Sequence, residues 1–179
     1  MKNFIPIAIA TVVVAVPQTT AFAQSGAPDD AKLSKGPKGF TVVDTAKYTL
    51  QIPNGWVVGK ETPWGARDIL AKSESGKFGA MTAGPTQAGW DQLNKTSLAF
   101  IKREEPGEET PFRTGKTKAG YESMSFEVKN KSGFFSRRYT LVRNAAGSVL
   151  ALSIKIPSVD QEKRYIEMFN HMVETAKLK

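Results

Sequence analysis

The chain has 179 residues, with 25 Lys and Arg against 17 Asp and Glu for a formal charge of +8, a single histidine and no cysteine. Cysteine nucleophiles, thiolate metal sites and a disulfide framework are thereby excluded, so stability must come from the apolar core of a domain of ordinary size. The positive balance favours acidic partners, whether anionic lipid heads, acidic proteins or other polyanions.

Lys2, an apolar run from Phe4 to Val16 and the small residues around Ala21-Phe22-Ala23 follow the order of a secretory signal peptide. The run is too short to span a bilayer, which needs about 20 residues. Cleavage after Ala23 assigns residues 1–23 to the signal peptide, leaves no transmembrane anchor and removes only Lys2, lowering the charge from +8 to +7. The next residue is Gln24 and not Cys, against lipid anchoring, and the expected location is the periplasm or the exterior. Residues 24–38, QSGAPDDAKLSKGPK, hold one large apolar residue and read as a flexible leader to a single domain over 39–179.

From Phe40 onward FTVVD and YTLQI place apolar residues at every second position, the period of a half-buried strand. Pro53 ends the ladder, Asn54-Gly55 favours a tight turn, and Trp56-Val57-Val58 opens another strand. RDILAK and GAMTAGP predict a further strand pair divided by SESGKFG. Trp90, Leu93, Ser97 and Ile101 then recur at helical spacing, predicting an amphipathic helix. After the loop REEPGEETP come three strands near Tyr121–Lys129, Phe134–Arg143 and Ser148–Ile156, joined by the turns NKSG and NAAG. A closing helix starts near Val159 with a capping box from Ser158 and Gln161, and its apolar face holds Tyr165, Met168, Phe169, Met172, Val173 and Ala176. The whole predicts an α+β fold, an antiparallel β-sheet flanked by helices in a layered sandwich.

This order, with Ile52-Pro53-Asn54-Gly55-Trp56, the helix opening at GWDQL, the meander carrying RYTLVRN and SVLALSIKIP, and the terminal YIEMFNHMVETAKL, resembles the PsbP-like and Mog-type α/β/α sandwich family over about Phe40–Leu178. The resemblance implies a non-enzymatic role. Photosynthetic members are extrinsic lumenal subunits of the oxygen-evolving complex, eukaryotic relatives bind a small GTPase, and DcrB-type members are bacterial envelope proteins. It points here to an exported binding or accessory scaffold with a protein partner in the envelope, and makes Trp56 a core plug at the sheet edge.

Chemical motifs are sparse, and no cofactor is implied. TGKT at Thr114–Thr117 lacks the preceding Gly and following helix of a phosphate-binding loop. His171, with Glu167 and Glu174, shares a helix face that reads as solvated. The acidic run Glu104, Glu105, Glu108 and Glu109 lacks the Asp spacing of a calcium loop. Asn94 and Asn130 begin glycosylation triplets. Lys116, Lys118, Lys129, Lys131, Arg138 and Arg143 gather in the meander as a candidate anion-contact patch, without the interleaved aromatics of a nucleic-acid groove. Trp64, between Pro63 and Gly65, is the candidate exposed aromatic contact. The other function classes left open are a metal-dependent or carboxylate-based hydrolase and a carrier of a small anionic or apolar ligand.

Hairpin register singles out Arg137. If Lys129 lies opposite Phe134 and Arg143 opposite Ser148, Arg137 falls between Phe126 and Ile154 on one apolar face. It then needs a carboxylate partner such as Glu162 or Glu167, a path to the rim, or an anionic ligand.

Overall fold

The computed structural model describes residues 30–63, 65–71, 76–83, 89–104, 107–131 and 135–179. The predicted signal peptide, residues 24–29, Trp64 and Glu105 lie outside them. In chain order the strands are β1 (Lys32–Lys35), β2 (Phe40–Asp44), β3 (Tyr48–Pro53), β4 (Val57–Val58), β5 (Ala66–Leu70) and β6 (Lys77–Ala83). Helix α1 (Trp90–Glu104) follows, then β7 (Glu108–Glu109), β8 (Arg113–Lys116), β9 (Glu122–Lys129), β10 (Phe135–Arg143) and β11 (Val149–Lys155). A short turn of 3-10 helix (Val159–Gln161) leads into α2 (Glu162–Thr175), and β12 (Lys177–Leu178) ends the chain.

The mix of antiparallel strands and two helices is the α+β class expected. Instead of one sheet there are two: a 4-stranded sheet in the order β1-β2-β3-β12, and an 8-stranded sheet in the order β4-β5-β6-β11-β10-β9-β7 with β8 also paired to β9. The division comes from the ends of the domain. The last residues return so that Lys177 and Leu178 pair with Thr49 and Tyr48, and residues 32–35 pair with β2, closing a sheet that local patterning could not show. Lys32–Lys35 are therefore a strand rather than part of a flexible leader. All four residues are exposed, so β1 rests on its ladder with β2 and not on buried side chains.

Alternation along the large sheet builds two cores. Leu150, Leu152, Ile154, Val142, Phe78, Ala80 and Ile69 project to one face, where they meet Val43, Tyr48, Leu50 and Ile52 of the small sheet and Tyr165, Phe169, Met172 and Val173 of α2. The spacing of those α2 residues holds one stripe of the helix against the sheets. Met124, Phe126, Val128, Tyr139, Leu141 and Val149 project to the opposite face, where they pack with Leu93, Trp90 and Leu98 of α1. The predicted capping box does not form. Ser158 makes no side-chain bond to the helix backbone, and the 3-10 turn supplies the entry to α2 instead.

Trp56 has the role its sequence position suggests. Gly55 takes the left-handed conformation (φ 79°) that the tight turn requires, and the chain re-enters with Trp56 stacked on Phe78 at 4.5 Å and tilted against Tyr165 at 6.0 Å. It covers the edge of the larger core. A buried ionic group near that edge was not evident in the sequence. Glu61 accepts from Lys47 and lies 3.8 Å from Arg67, whose Nη1 donates to the Gly59 carbonyl at 2.5 Å. Glu61 and Arg67 are 4% and 3% exposed, so the group ties the β2–β3 turn to the large sheet without contact with a ligand from solution.

Candidate functional site

The face of the large sheet that meets α2 carries Phe78, Ala80, Leu150, Leu152 and Ile154 through β6 and β11 and changes character at β10. In β9, ESMSFEVK, the alternation sends Met124, Phe126 and Val128 toward α1 and leaves Ser123, Ser125 and Glu127 on the α2 side. Their neighbours on that side are Thr140 and Arg138 of β10 and Arg113 of β8. Helix α2 does not fill the space over these polar residues. A cleft of about 410 Å³ remains, with Lys118, Asn170 and Glu174 at its helix side and Thr110 at its far end.

The floor of this cleft is fixed. Arg138 donates from Nε to Glu127 Oε1 at 2.6 Å and from Nη2 to the same oxygen, while its Nη1 reaches Asn170 Oδ1 at 3.1 Å. Glu127 is only 5% exposed. Its backbone is also clamped, since its N–H donates to Thr110 Oγ1 at 2.9 Å and its carbonyl accepts from the Thr110 N–H at 2.9 Å. Arg113 Nη2 lies 3.8 Å from the other Glu127 oxygen and keeps most of its side chain in solvent. At the opposite wall the Lys118 backbone N–H donates to Glu174 Oε2 at 2.8 Å. The arrangement is a neutralised ion pair beneath the exposed side chains of Arg113 and Lys118. It can hold an anionic group.

The predicted basic patch divides into separate groups, of which Lys116 and Arg143 flank Glu122 and line a common hollow. Lys116 pairs in register with Glu122 at one end of β9, Lys129 faces Glu108 at the other end, and about 23 Å of strand separates the two ends. Lys131 is exposed beyond that far end. Arg143 bonds Glu122 Oε2 from Nε at 3.0 Å and from Nη2 at 2.6 Å, and its guanidinium lies 4.3 Å from the Trp90 ring, so it serves the α1 side. Only Arg138 and Lys118 of the candidates enter the cleft.

Arg137 is corrected in two ways. A bulge between Phe135 and Arg137 sets Arg137 opposite Val128 and Tyr139 opposite Phe126. The β10–β11 ladder sets Arg137 opposite Lys155, and it is Arg138 that faces Ile154. Arg137 therefore stays on the Phe126 face, against part of which α1 packs, and not on the Ile154 face beneath α2. Glu162 and Glu167 belong to α2 and cannot be its partners. Its Nη1 donates to the Tyr139 hydroxyl at 3.1 Å.

His171 is less solvated than expected. Its ring stacks on Phe40 at 3.7 Å and its Nε2 lies 2.9 Å from Gln51 Oε1. Burial, and then the nearby charge of Lys118, lower its pKa below the usual histidine value. With Glu174 turned to Lys118, the proposed His171–Glu167–Glu174 face is divided between two jobs. Among the described residues no group of His, Asp and Glu is placed to hold a metal ion. Thr114–Lys116 lie within β8, and the Thr117 hydroxyl accepts from the Tyr121 N–H at 3.3 Å, so TGKT is strand and turn and does not cradle a helix N-terminus. Glu127, Asn170, Arg113 and Thr110 escaped the sequence reading. The one available signal was the Ser-x-Ser-x-Glu half of β9, a polar stripe on a strand whose other half is a continuous apolar row.

No family model matches this sequence, and no curated protein matches it. The fold does have a counterpart of known structure. The solution structure of cyanobacterial PsbP (CyanoP) from Synechocystis sp. PCC 6803 superposes with a TM-score of 0.53 at 10% sequence identity, over 93% of this chain and 99% of that one. The chain therefore shares the PsbP-like α+β fold.

Proposed function

We propose that the protein is an exported, non-enzymatic accessory protein of the cell envelope. In this reading the signal peptide directs it to the periplasm or exterior. The domain is a layered α/β/α scaffold of the PsbP kind, and DcrB-type envelope proteins are the functional analogy. The observation that carries the reading is the cleft. A sheet face that is apolar over β6 and β11 turns polar over β8–β9–β10, keeps an ion pair of half-buried Arg138 and buried Glu127 as its floor, and presents Arg113 and Lys118 above it. Such a surface suits an acidic segment of a protein partner, because the fixed pair sets geometry while the two outer cations supply attraction.

The test is affinity capture from envelope extract at two salt concentrations, with wild type and Arg113→Glu/Lys118→Glu compared. A stoichiometric partner held at low salt, weakened at high salt and absent with the variant is expected. Equal recovery with the variant, or no stoichiometric partner at either salt, overturns the reading. The cleft volume also falls in the range of small-molecule sites, about 300–1,000 Å³. This favours, as the second reading, carriage of a small anionic ligand, for which citrate or inorganic phosphate should raise the melting temperature of wild type and not of the variant.

A further inference from the structure

Among the described residues, the contacts of α1 with its face of the large sheet lie over β9, β10 and the start of β11. Beyond them the same face continues onto β6, β5 and β4. There the register sets Val57 opposite Leu70, Leu70 opposite Lys77, Lys77 opposite Lys155 and Lys155 opposite Arg137. Directly opposed residues share a face, so these five form one row across five strands, about 19 Å long. Val57 and Leu70 are 44% and 42% exposed, two of the large apolar side chains that the described residues leave in solvent. Lys77 and Lys155 are exposed too, and the row places their charges side by side with that of Arg137. Like charges directly opposite one another oppose sheet formation. Asp68 lies 2.9 Å from Lys77.

We propose that this half-face is a docking surface for an anionic lipid bilayer. The chemistry is complementary in two respects. Lysine and arginine side chains next to a sheet meet acidic headgroups, and the aliphatic pair at the end of the row enters the interface between headgroups and acyl chains. The exposed aliphatic pair favours lipid over an acidic polypeptide, whose attraction would need only the cations. The row lies on the face opposite the cleft, so a bilayer bound here leaves the cleft open to a partner.

The test uses protein recovered after export, with its N-terminus read by mass spectrometry so that all samples carry the same leader. Co-sedimentation is measured with vesicles of phosphatidylcholine containing 30 mol% phosphatidylglycerol, with pure phosphatidylcholine vesicles, and with soluble poly-glutamate. Binding to the anionic vesicles alone is expected. Each cation near such a surface contributes about fivefold in affinity, so Lys77→Glu/Lys155→Glu should weaken binding at least a hundredfold. Lys155→Glu alone, an exposed site that disturbs no ion pair seen here, should weaken it tenfold or more if the double variant folds poorly. Leu70→Ser should weaken it further at high salt, where the apolar contact remains. Arg113→Glu/Lys118→Glu in the cleft should bind vesicles as wild type does. The proposal is overturned if the anionic vesicles do not bind, if Lys155→Glu binds them unchanged, or if poly-glutamate binding shows the same sensitivity to Lys155→Glu while vesicles do not bind. The last outcome would assign the face to an acidic protein.

Discussion

Replacing Arg138 by Met removes one partner of the ion pair at the floor of the cleft and leaves Glu127 buried. Breaking a buried pair in this way costs about 3–5 kcal/mol, because the remaining charge loses its compensation and cannot regain water. Two features reduce the cost here. The Arg138 side chain is 19% exposed, so water has a path to the vacated space. Arg113, 3.8 Å from the second Glu127 oxygen, can close on it. The expected loss is therefore about 2–3 kcal/mol. At about 2–4 °C per kcal/mol for a domain of this size, the melting temperature should fall by about 5–10 °C. Glu127→Gln alone should cost less, since the amide still accepts from Arg138 and donates within a polar cleft. The double variant should recover much of the loss, with a coupling of about 1–2 kcal/mol in a urea-denaturation cycle. If Arg138→Met lies within about 0.5 kcal/mol of wild type, or the two changes simply add, the pair does not fix the floor of the cleft and the argument for a preformed site fails.

Trp56→Ala should destabilise by about 3 kcal/mol, measured by urea denaturation, because it removes the ring stacked on Phe78 and opens the edge of the larger core; a change below about 1 kcal/mol would mean that the ring only lies on the surface. His171 has a folded pKa below its unfolded value, so the unfolded state binds the extra proton first as pH falls. Stability should therefore decline as pH drops through the unfolded value near 6.5 and level off below the folded one, and that part of the pH profile should vanish in His171→Gln. Mass spectrometry of exported protein should find the N-terminus at Gln24, in open or cyclised form, whereas retention of Met1 in the mature pool would refute the signal-peptide reading.

Elements with a strong internal period were legible. The alternation from Tyr48 to Ile52 and the apolar stripe from Tyr165 to Val173 fall where the sequence predicts them, since each needs only its own face to be buried. Strands without a period were not. The residues of β1 are all exposed, β8 is exposed throughout, and β7 and β12 have two residues each. They are strands because a neighbour with free backbone groups lies alongside, which is a property of the assembled domain. The cleft was hidden for a related reason. Arg138, Glu127 and Asn170 come from different elements, and Asn170 lies 32 positions from Arg138. Their meeting depends on register and helix placement, neither of which composition encodes.

Register itself turns on single residues. In the β10–β11 hairpin, Asn144 Oδ1 accepts the Ser148 N–H at 2.9 Å and the Asn144 backbone N–H donates to the Ser148 carbonyl at 3.1 Å, so Ser148 belongs to the turn and Val149 is the first residue opposite Arg143. That one position moves Ile154 from Arg137 to Arg138. In the other hairpin Phe135 starts opposite Lys129; continued without interruption, this register would bring Tyr139 to Ser125, Leu141 to Ser123 and Thr140 to Met124, mixing apolar and polar residues on both faces. The bulge restores the match, with Tyr139 on Phe126 and Leu141 on Met124. The extra residue, Ser136, is accommodated without leaving its carbonyl unsatisfied, since that oxygen accepts from the Ile156 N–H at 2.8 Å. The consecutive arginines mean that either register sends one guanidinium to each face. What the bulge decides is that Arg138 meets Glu127, and that the polar half of β9 becomes the floor of a cleft while its apolar half completes the core beneath α1.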